Sequence, residues 1–242
     1  MAKKLEIRDF EFLDSGFCTG KYNMKFDIER TMECSKGKAK PMFRFYGWLP
    51  WAVSLGANQK ESDIDKNECE ERGFDIVRRP TGGRAVLHAN EITYSVVTPL
   101  PEGFTIHDAY RDIHIFLLEI FDKAGCSGLD FERSQPDFRD HYKNSEMSVS
   151  CFASSARYEI THNGKKIVGS AQRLFGDILL QHGSILLDEG HEQLAYVSAN
   201  KSERSKEVLR HYILHHSSNL TIASGKKIKY DDIAKTAKEI FD

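Results

Sequence analysis

The sequence of 242 residues predicts an α+β fold, with mixed or antiparallel sheets and flanking helices. Three observations carry this prediction. Strand-like segments crowd the middle of the chain without a helix between each pair, which argues against a doubly wound α/β fold. Residues 105–124 carry Ile106, Ala109, Ile113, Phe116, Leu117, Ile120 and Phe121 at helical spacing, with Gly125 as a stop. Asn163-Gly164 lies between two alternating segments, the strongest short-range hairpin signal.

In chain order, the alternation of residues 3–13 predicts a strand and residues 22–33 a helix with Met24, Phe26, Ile28 and Met32 partly on one side. Residues 39–48 and 51–56 read as short strands. Ser62 is the expected N-cap of a helix ending near Gly73. Residues 74–78 and 91–98 follow as strands, rich in β-branched and aromatic side chains in the second case. Residues 130–150 are polar and irregular, a long loop. Residues 157–161 and 165–170 flank the hairpin turn. A two-residue turn places Thr161 opposite Lys166 and Ile160 opposite Ile167, with Lys166 and Val168 on the face opposite Ile167. A strand over 178–187 and an amphipathic helix over 230–241 complete the pattern.

Length and composition suit one domain over 1–242, with a core over 40–190 and a tail over 190–242. The chain is 40% hydrophobic and 29% charged, with a formal net charge of −2. A nucleic-acid binder needs a basic surplus, so that class is disfavoured. No apolar run approaches the roughly 18 residues of a membrane span. The N-terminus carries no secretory pattern. Five cysteines at irregular spacing, none in a C-x-x-C pair, point to free thiols in a reducing cytoplasm and give little support to a zinc site.

Four segments carry chemistry. In Arg78-Arg-Pro-Thr-Gly-Gly-Arg84, continuing to His88, Gly82 and Gly83 make a tight turn that exposes backbone N–H groups, and Arg78, Arg79 and Arg84 add positive charge. That combination suits a phosphate or carboxylate; a plain hairpin is the bland alternative, and His88 alone suits a structural role. Cys151 follows the polar loop; it is either a buried loop cysteine or a nucleophile. A thiol is a nucleophile only as thiolate, and bringing its pKa from about 8.5 to about 7 takes roughly 2 kcal/mol of stabilisation. Lys166, in Gly164-Lys-Lys-Ile-Val-Gly169, can supply an ammonium; Lys165 points to the other face. Gly169-Ser170-Ala171 makes a narrow strand. Gly183, after Gln181-His182, implies a bulge or a close approach of another group. His182 is a candidate acid or base, or a structural hydrogen-bonding residue.

Together, and in this order, these segments resemble the lipoate–protein ligase and octanoyltransferase family, a relative of the biotin–protein ligases. The similarity is strongest to the cysteine-dependent octanoyltransferases of the LipM type. It extends to Arg44-Phe-Tyr-Gly-Trp48, Val53-Ser-Leu-Gly56, Glu91-Ile-Thr-Tyr-Ser95 and Tyr158-Glu159, and covers most of residues 40–190. The early Asn23-Met-Lys-Phe-Asp27 departs from the family pattern by continuing with Ile28, and the tail, including His211-Tyr-Ile-Leu-His-His216, has no counterpart.

The resemblance implies a biotin/lipoate-protein-ligase-like catalytic domain in which Cys151 carries the acyl group and Lys166 lowers its pKa. It implies an acyl pocket lined by the Arg78–Arg84 turn, His88, Gly169–Ala171 and Gln181–Gly183. The expected reaction moves octanoyl from an octanoyl-acyl-carrier protein to a lysine of a lipoyl-domain or glycine-cleavage H protein, with no cofactor and no membrane or nucleic-acid partner. An ATP-dependent lipoate–protein ligase, using ATP and Mg through lipoyl-AMP, is the main rival. An octanoyl amidotransferase acting between carrier proteins is a second, and a non-catalytic module binding acylated carrier domains a third.

Overall fold

The computed structural model describes residues 4–132 and 159–242. Its elements are β1 (Glu11–Cys18), α1 (Gly20–Ser35), β2 (Met42–Trp48), β3 (Ala52–Leu55), α2 (Lys66–Glu71), β4 (Asp75–Arg78), β5 (Val86–His88), β6 (Glu91–Pro99), α3 (Ile106–Lys123), β7 (Asp130–Glu132), β8 (Glu159–His162), β9 (Lys165–Lys166), β10 (Val168–Phe175), β11 (Ile178–Leu186), α4 (Glu203–His216), α5 (Leu220–Ser224) and α6 (Tyr230–Phe241). The main sheet has five strands in the order β1-β2-β6-β11-β10. The β1–β2 pairing is parallel and the others are antiparallel. A second sheet runs β4-β3-β5, with one parallel and one antiparallel pairing. A third, β7-β8-β9, is antiparallel. The architecture is the expected α+β fold with mixed sheets.

β2, β6 and β11 are buried almost throughout, because both faces of the main sheet are covered. Successive side chains alternate between those faces. Phe43, Phe45, Ile92, Tyr94, Val96, Leu179 and Ile185 share one cluster with Ile113, Phe116, Leu117, Ile120 and Phe121 of α3 and with Ile233, Ala237 and Ile240 of α6. Helix α3 starts at a capping box, in which Thr105 Oγ1 accepts from Asp108 N and the Asp108 carboxylate accepts from Thr105 N. The opposite face meets α1. That helix, capped by Thr19, buries Asn23 and Asp27 as well as Met24. A second core joins the small sheet to the C-terminal region: Val53, Leu55, Ile64, Cys69 and Leu87 contact Leu194, Val197, Leu209 and Ile213.

Three local expectations are corrected. The strand expected over 3–13 is a 3-10 turn at Ile7–Asp9 followed by β1, because the register Glu11↔Met42 fixes where pairing starts. Asp65 rather than Ser62 caps α2, accepting from Asn67 N at 3.0 Å and Glu68 N at 3.2 Å. Ile64 is extended there and bridges Ser198, so the helix cannot begin earlier. The hairpin has the expected Thr161↔Lys166 pairing, with positive φ at Asn163 and Gly164. Its second strand breaks at Ile167, however, and Ile167 and Val168 both enter the main core, so Val168 does not continue the face of Lys166. Residues 190–230, for which no elements are predicted, carry α4 and α5. Of the loop expected over 130–150, residues 130–132 form β7 and the remainder lies outside the described residues. Among the described residues, no helix is long and apolar enough to cross a membrane.

Candidate active site

The polar face of the main sheet and the small sheet line a small, partly open cavity of about 30 Å³. Its walls are Met24 from α1, Tyr46 and Trp48 from β2, Ser54 from β3, Arg79 just after β4, Val86 and His88 from β5, Thr93 from β6, Gly169–Ala171 from β10, and His182, Gly183 and Ser184 from β11. Distant stretches of sequence therefore converge, as strand pairing dictates: Ala171 lies opposite His182 and Gly169 opposite Ser184. Gly183 permits the closest approach. A Cβ there would lie 2.6 Å from both Ser170 Oγ and Tyr94 Cε1.

Two hydrogen-bonded chains run through these walls. One centres on Asp27, which is fully buried. Arg44 Nη1 donates to Asp27 Oδ1 at 3.0 Å, Ser95 Oγ to the same oxygen at 2.9 Å, and Tyr46 Oη to Oδ2 at 3.3 Å. His182 Nδ1 lies 3.5 Å from Asp27 Oδ2, and its Nε2 is 2.6 Å from Thr81 Oγ1 on the glycine turn. Burial pushes the His182 imidazole down from its ordinary value; the neighbouring Asp27 only partly opposes this. Burial, reinforced by Asp27, pushes the Tyr46 phenol well up. The second chain centres on His88, which stacks on Trp48 with ring centroids 3.9 Å apart. His88 Nδ1 is 2.8 Å from Glu91 Oε1 and Nε2 is 2.8 Å from Ser54 Oγ. Thr93 and Ser184 hydroxyls also donate to Glu91.

The residues singled out from the sequence divide as follows. Arg79 turns inward, donating to Ser54 O at 2.9 Å and Ser54 Oγ at 3.0 Å, and also to the carbonyls of Gly82 and Arg84. Arg78 turns outward to the carbonyls of Gly56 and Gln59. Gly82 and Gly83 form the exposed turn, and Arg84 is half-buried beside it. Gly83 O packs so tightly on Gly56 that a Cβ at Gly56 would lie 2.0 Å from it. His88, Gly169, Ser170, Ala171, His182 and Gly183 border the cavity. The Ser170 hydroxyl bonds Tyr94 Oη at 2.7 Å and His114 Nε2 at 2.9 Å. Gln181 faces the same side, donating to Tyr94 Oη at 2.6 Å. Burial pushes the Tyr94 phenol up, against the pull of its bonds to Ser170 and Gln181. Lys166 is buried, with its ammonium 2.5 Å from Glu159 Oε1. Thr161 is opposite Lys166 and Glu159 is two residues along the same face, so the pair is a cross-strand diagonal set by the hairpin. Cys151 lies outside the described residues.

The sequence reading missed Asp27, Arg44, Ser54, Thr81, Glu91 and Glu159 as site residues. One signal was available: Arg44 between Phe43 and Phe45, and Glu91, Thr93 and Ser95 alternating with apolar neighbours, are polar residues at regular positions in buried strands. Among the described residues, no three His, Cys, Asp or Glu side chains are grouped to hold a metal ion.

The model of the lipoyl protein ligase A/B catalytic domain matches residues 19–242, and the chain belongs to that family. The octanoyltransferase LipM of Geobacillus kaustophilus is 40% identical over 220 residues, spanning 87% of this chain and 75% of the relative. That of Staphylococcus aureus is 40% identical over 205 residues, spanning 81% and 72%. With such relatives, the chain is an acyltransferase. A bipartite lipoate protein ligase from Thermoplasma acidophilum shares the fold with a TM-score of 0.70 at 19% identity, covering 96% of this chain and 82% of that one. A lipoate–protein ligase A bound with ATP does so with a TM-score of 0.67 at 19% identity, covering 96% and 83%.

Proposed function

We propose that this chain carries an octanoyl group as a thioester on Cys151, between an octanoyl-acyl-carrier protein and a lysine of a lipoyl domain or glycine-cleavage H protein. Octanoyl transfer in protein lipoylation is the activity of its relatives at about 40% identity, and the chain shares it. The observation that carries the finer reading is the buried Lys166 ammonium, fixed by Glu159 on a hairpin eight residues after Cys151. An ammonium held in a dry site stabilises a nearby thiolate and then the oxyanion of a tetrahedral intermediate.

In the first half-reaction the Cys151 thiolate attacks the thioester carbonyl and expels the carrier thiol. In the second, the acceptor amine attacks the octanoyl-cysteine thioester, releases Cys151 and forms an amide. Both steps draw on thioester activation, so the route uses neither nucleotide nor metal. The cavity walls suit an apolar chain because their polar groups bond one another: His88 to Glu91 and Ser54, and His182 to Thr81. A donor competition tests the reading. Purified protein and a lipoyl domain are mixed with octanoyl-carrier protein, or with octanoate, ATP and Mg. Amide formation with the carrier-bound donor alone supports it. Formation with octanoate that depends on ATP, together with pyrophosphate exchange, would replace it by the ligase.

A further inference from the structure

We propose that Ser54, His88 and Glu91 form a second acyl-accepting centre in the cavity, able to take a medium-chain acyl group as a serine ester and hydrolyse it. The step is independent of Cys151 and goes beyond the transfer proposed above. Ser54 and His88 both border the cavity. His88 Nδ1 faces a Glu91 oxygen at 2.8 Å, so the ring nitrogen on that side carries the hydrogen, and Nε2 is left to accept. Ser54 Oγ stands 2.8 Å from that Nε2. This is the spacing of a nucleophile, a base and a carboxylate that orients the base.

The ends of this chain of hydrogen bonds carry opposite charges. Arg79 Nη1 donates to Ser54 Oγ at 3.0 Å, and Glu91 accepts from Thr93 and Ser184 besides His88. Moving the hydroxyl proton from Ser54 to His88 therefore places an alkoxide beside a guanidinium and an imidazolium beside a carboxylate. Each new charge meets its opposite at hydrogen-bond distance, which in a buried site lowers the cost of separating them. Trp48, stacked on His88 at 3.9 Å, fixes the ring plane.

The reaction balances without a further reagent. Ser54 Oγ bonds to the acyl carbon of a thioester while the carbon–sulfur bond breaks. The serine proton passes to His88 Nε2 and then to the leaving sulfur, giving a free thiol. Water then adds to the ester, again with His88 taking and returning a proton, and releases the carboxylic acid and Ser54.

The test uses the full chain with Cys151→Ala and octanoyl-coenzyme A as the probe. Peptide mapping is expected to place one octanoyl group on Ser54, stable to neutral hydroxylamine as an ester is and a thioester is not. Ser54→Ala and His88→Gln should each lower thioester hydrolysis on the order of 10²-fold or more. Because these residues are buried, the unsubstituted protein is also treated with iodoacetamide and then with an alkyl fluorophosphonate, which should label Ser54. Absence of label on Ser54 in both proteins, or label on another serine, overturns the proposal. The Cys151 route is read separately, as the hydroxylamine-labile adduct that peptide mapping places on Cys151 in the unsubstituted chain, so either can fail alone.

Discussion

The two faces of the five-stranded sheet are buried alike and differ in chemistry. One presents Phe43, Phe45, Ile92, Val96 and Leu179 to α3 and α6. The other presents Arg44, Tyr46, Glu91, Thr93, Ser95, His182 and Ser184 to α1 and the small sheet, with Arg44 and Ser95 fully buried. The same three strands build both, because side chains alternate. The apolar face needs volume and shape. The polar face needs every hydrogen bond made, since a buried unpaired charge is far more costly than a lost methyl group. Stability thus rests on both faces, and the cavity lies on one.

The largest effect should come from breaking the polar face. Asp27→Ala leaves Arg44 buried without its carboxylate and removes the acceptor of Ser95 and Tyr46. We expect a loss of about 3–5 kcal/mol in urea unfolding, with a further fall in acyl transfer per folded molecule because His182 loses its orienting group. Leu117→Ala on the apolar face should cost about 3 kcal/mol. Its transfer rate per folded molecule should stay unchanged; a matching loss of rate would mean that the two faces are not separable.

Acidification sharpens the contrast. Burial pushes the His191 imidazole down to about 4, and lowers His182 as well. Both rings are kept neutral in the fold, whereas the unfolded chain takes up protons below about 6.5. Stability should therefore be full above pH 6.5, fall as pH drops towards 4 and level off below that. His191 contributes on the order of 2–3 kcal/mol to that fall. Thermal unfolding against pH checks this, and His191→Gln should flatten the curve. The smallest effect belongs to the apolar face: Thr105→Ala removes the α3 cap and should cost about 1 kcal/mol, seen as a drop of a few degrees in Tm with transfer unaffected.

What was legible in the sequence follows the same division. Helix α3, helix α6 and the Asn163-Gly164 hairpin depend on local periodicity and turn chemistry, and they stand where that chemistry places them. Helix α4 was not legible, because only Leu209 and Ile213 are buried along its length. The Arg78–His88 stretch and the β10–β11 pair stand out in the sequence because glycines and clustered charges mark them, and residues of both border the cavity. The partners that give those residues meaning were not. Asp27 meets Ser95 across 68 positions and Thr81 meets His182 across 101, contacts that exist only once the strands have paired. Glu159 was seen as part of a resemblance, and its bond to Lys166 needed the hairpin register.

The central claim is that acyl transfer passes through a cysteine served by that buried ammonium. The most direct measurement is intact mass and peptide mapping after a brief exposure to octanoyl-carrier protein, followed by addition of a lipoyl domain. The account predicts one hydroxylamine-labile octanoyl group on Cys151 that disappears as the acceptor lysine gains it, and no such transfer in Cys151→Ser. Full transfer to the lipoyl domain by Cys151→Ser, with no thioester on the native chain, would contradict it.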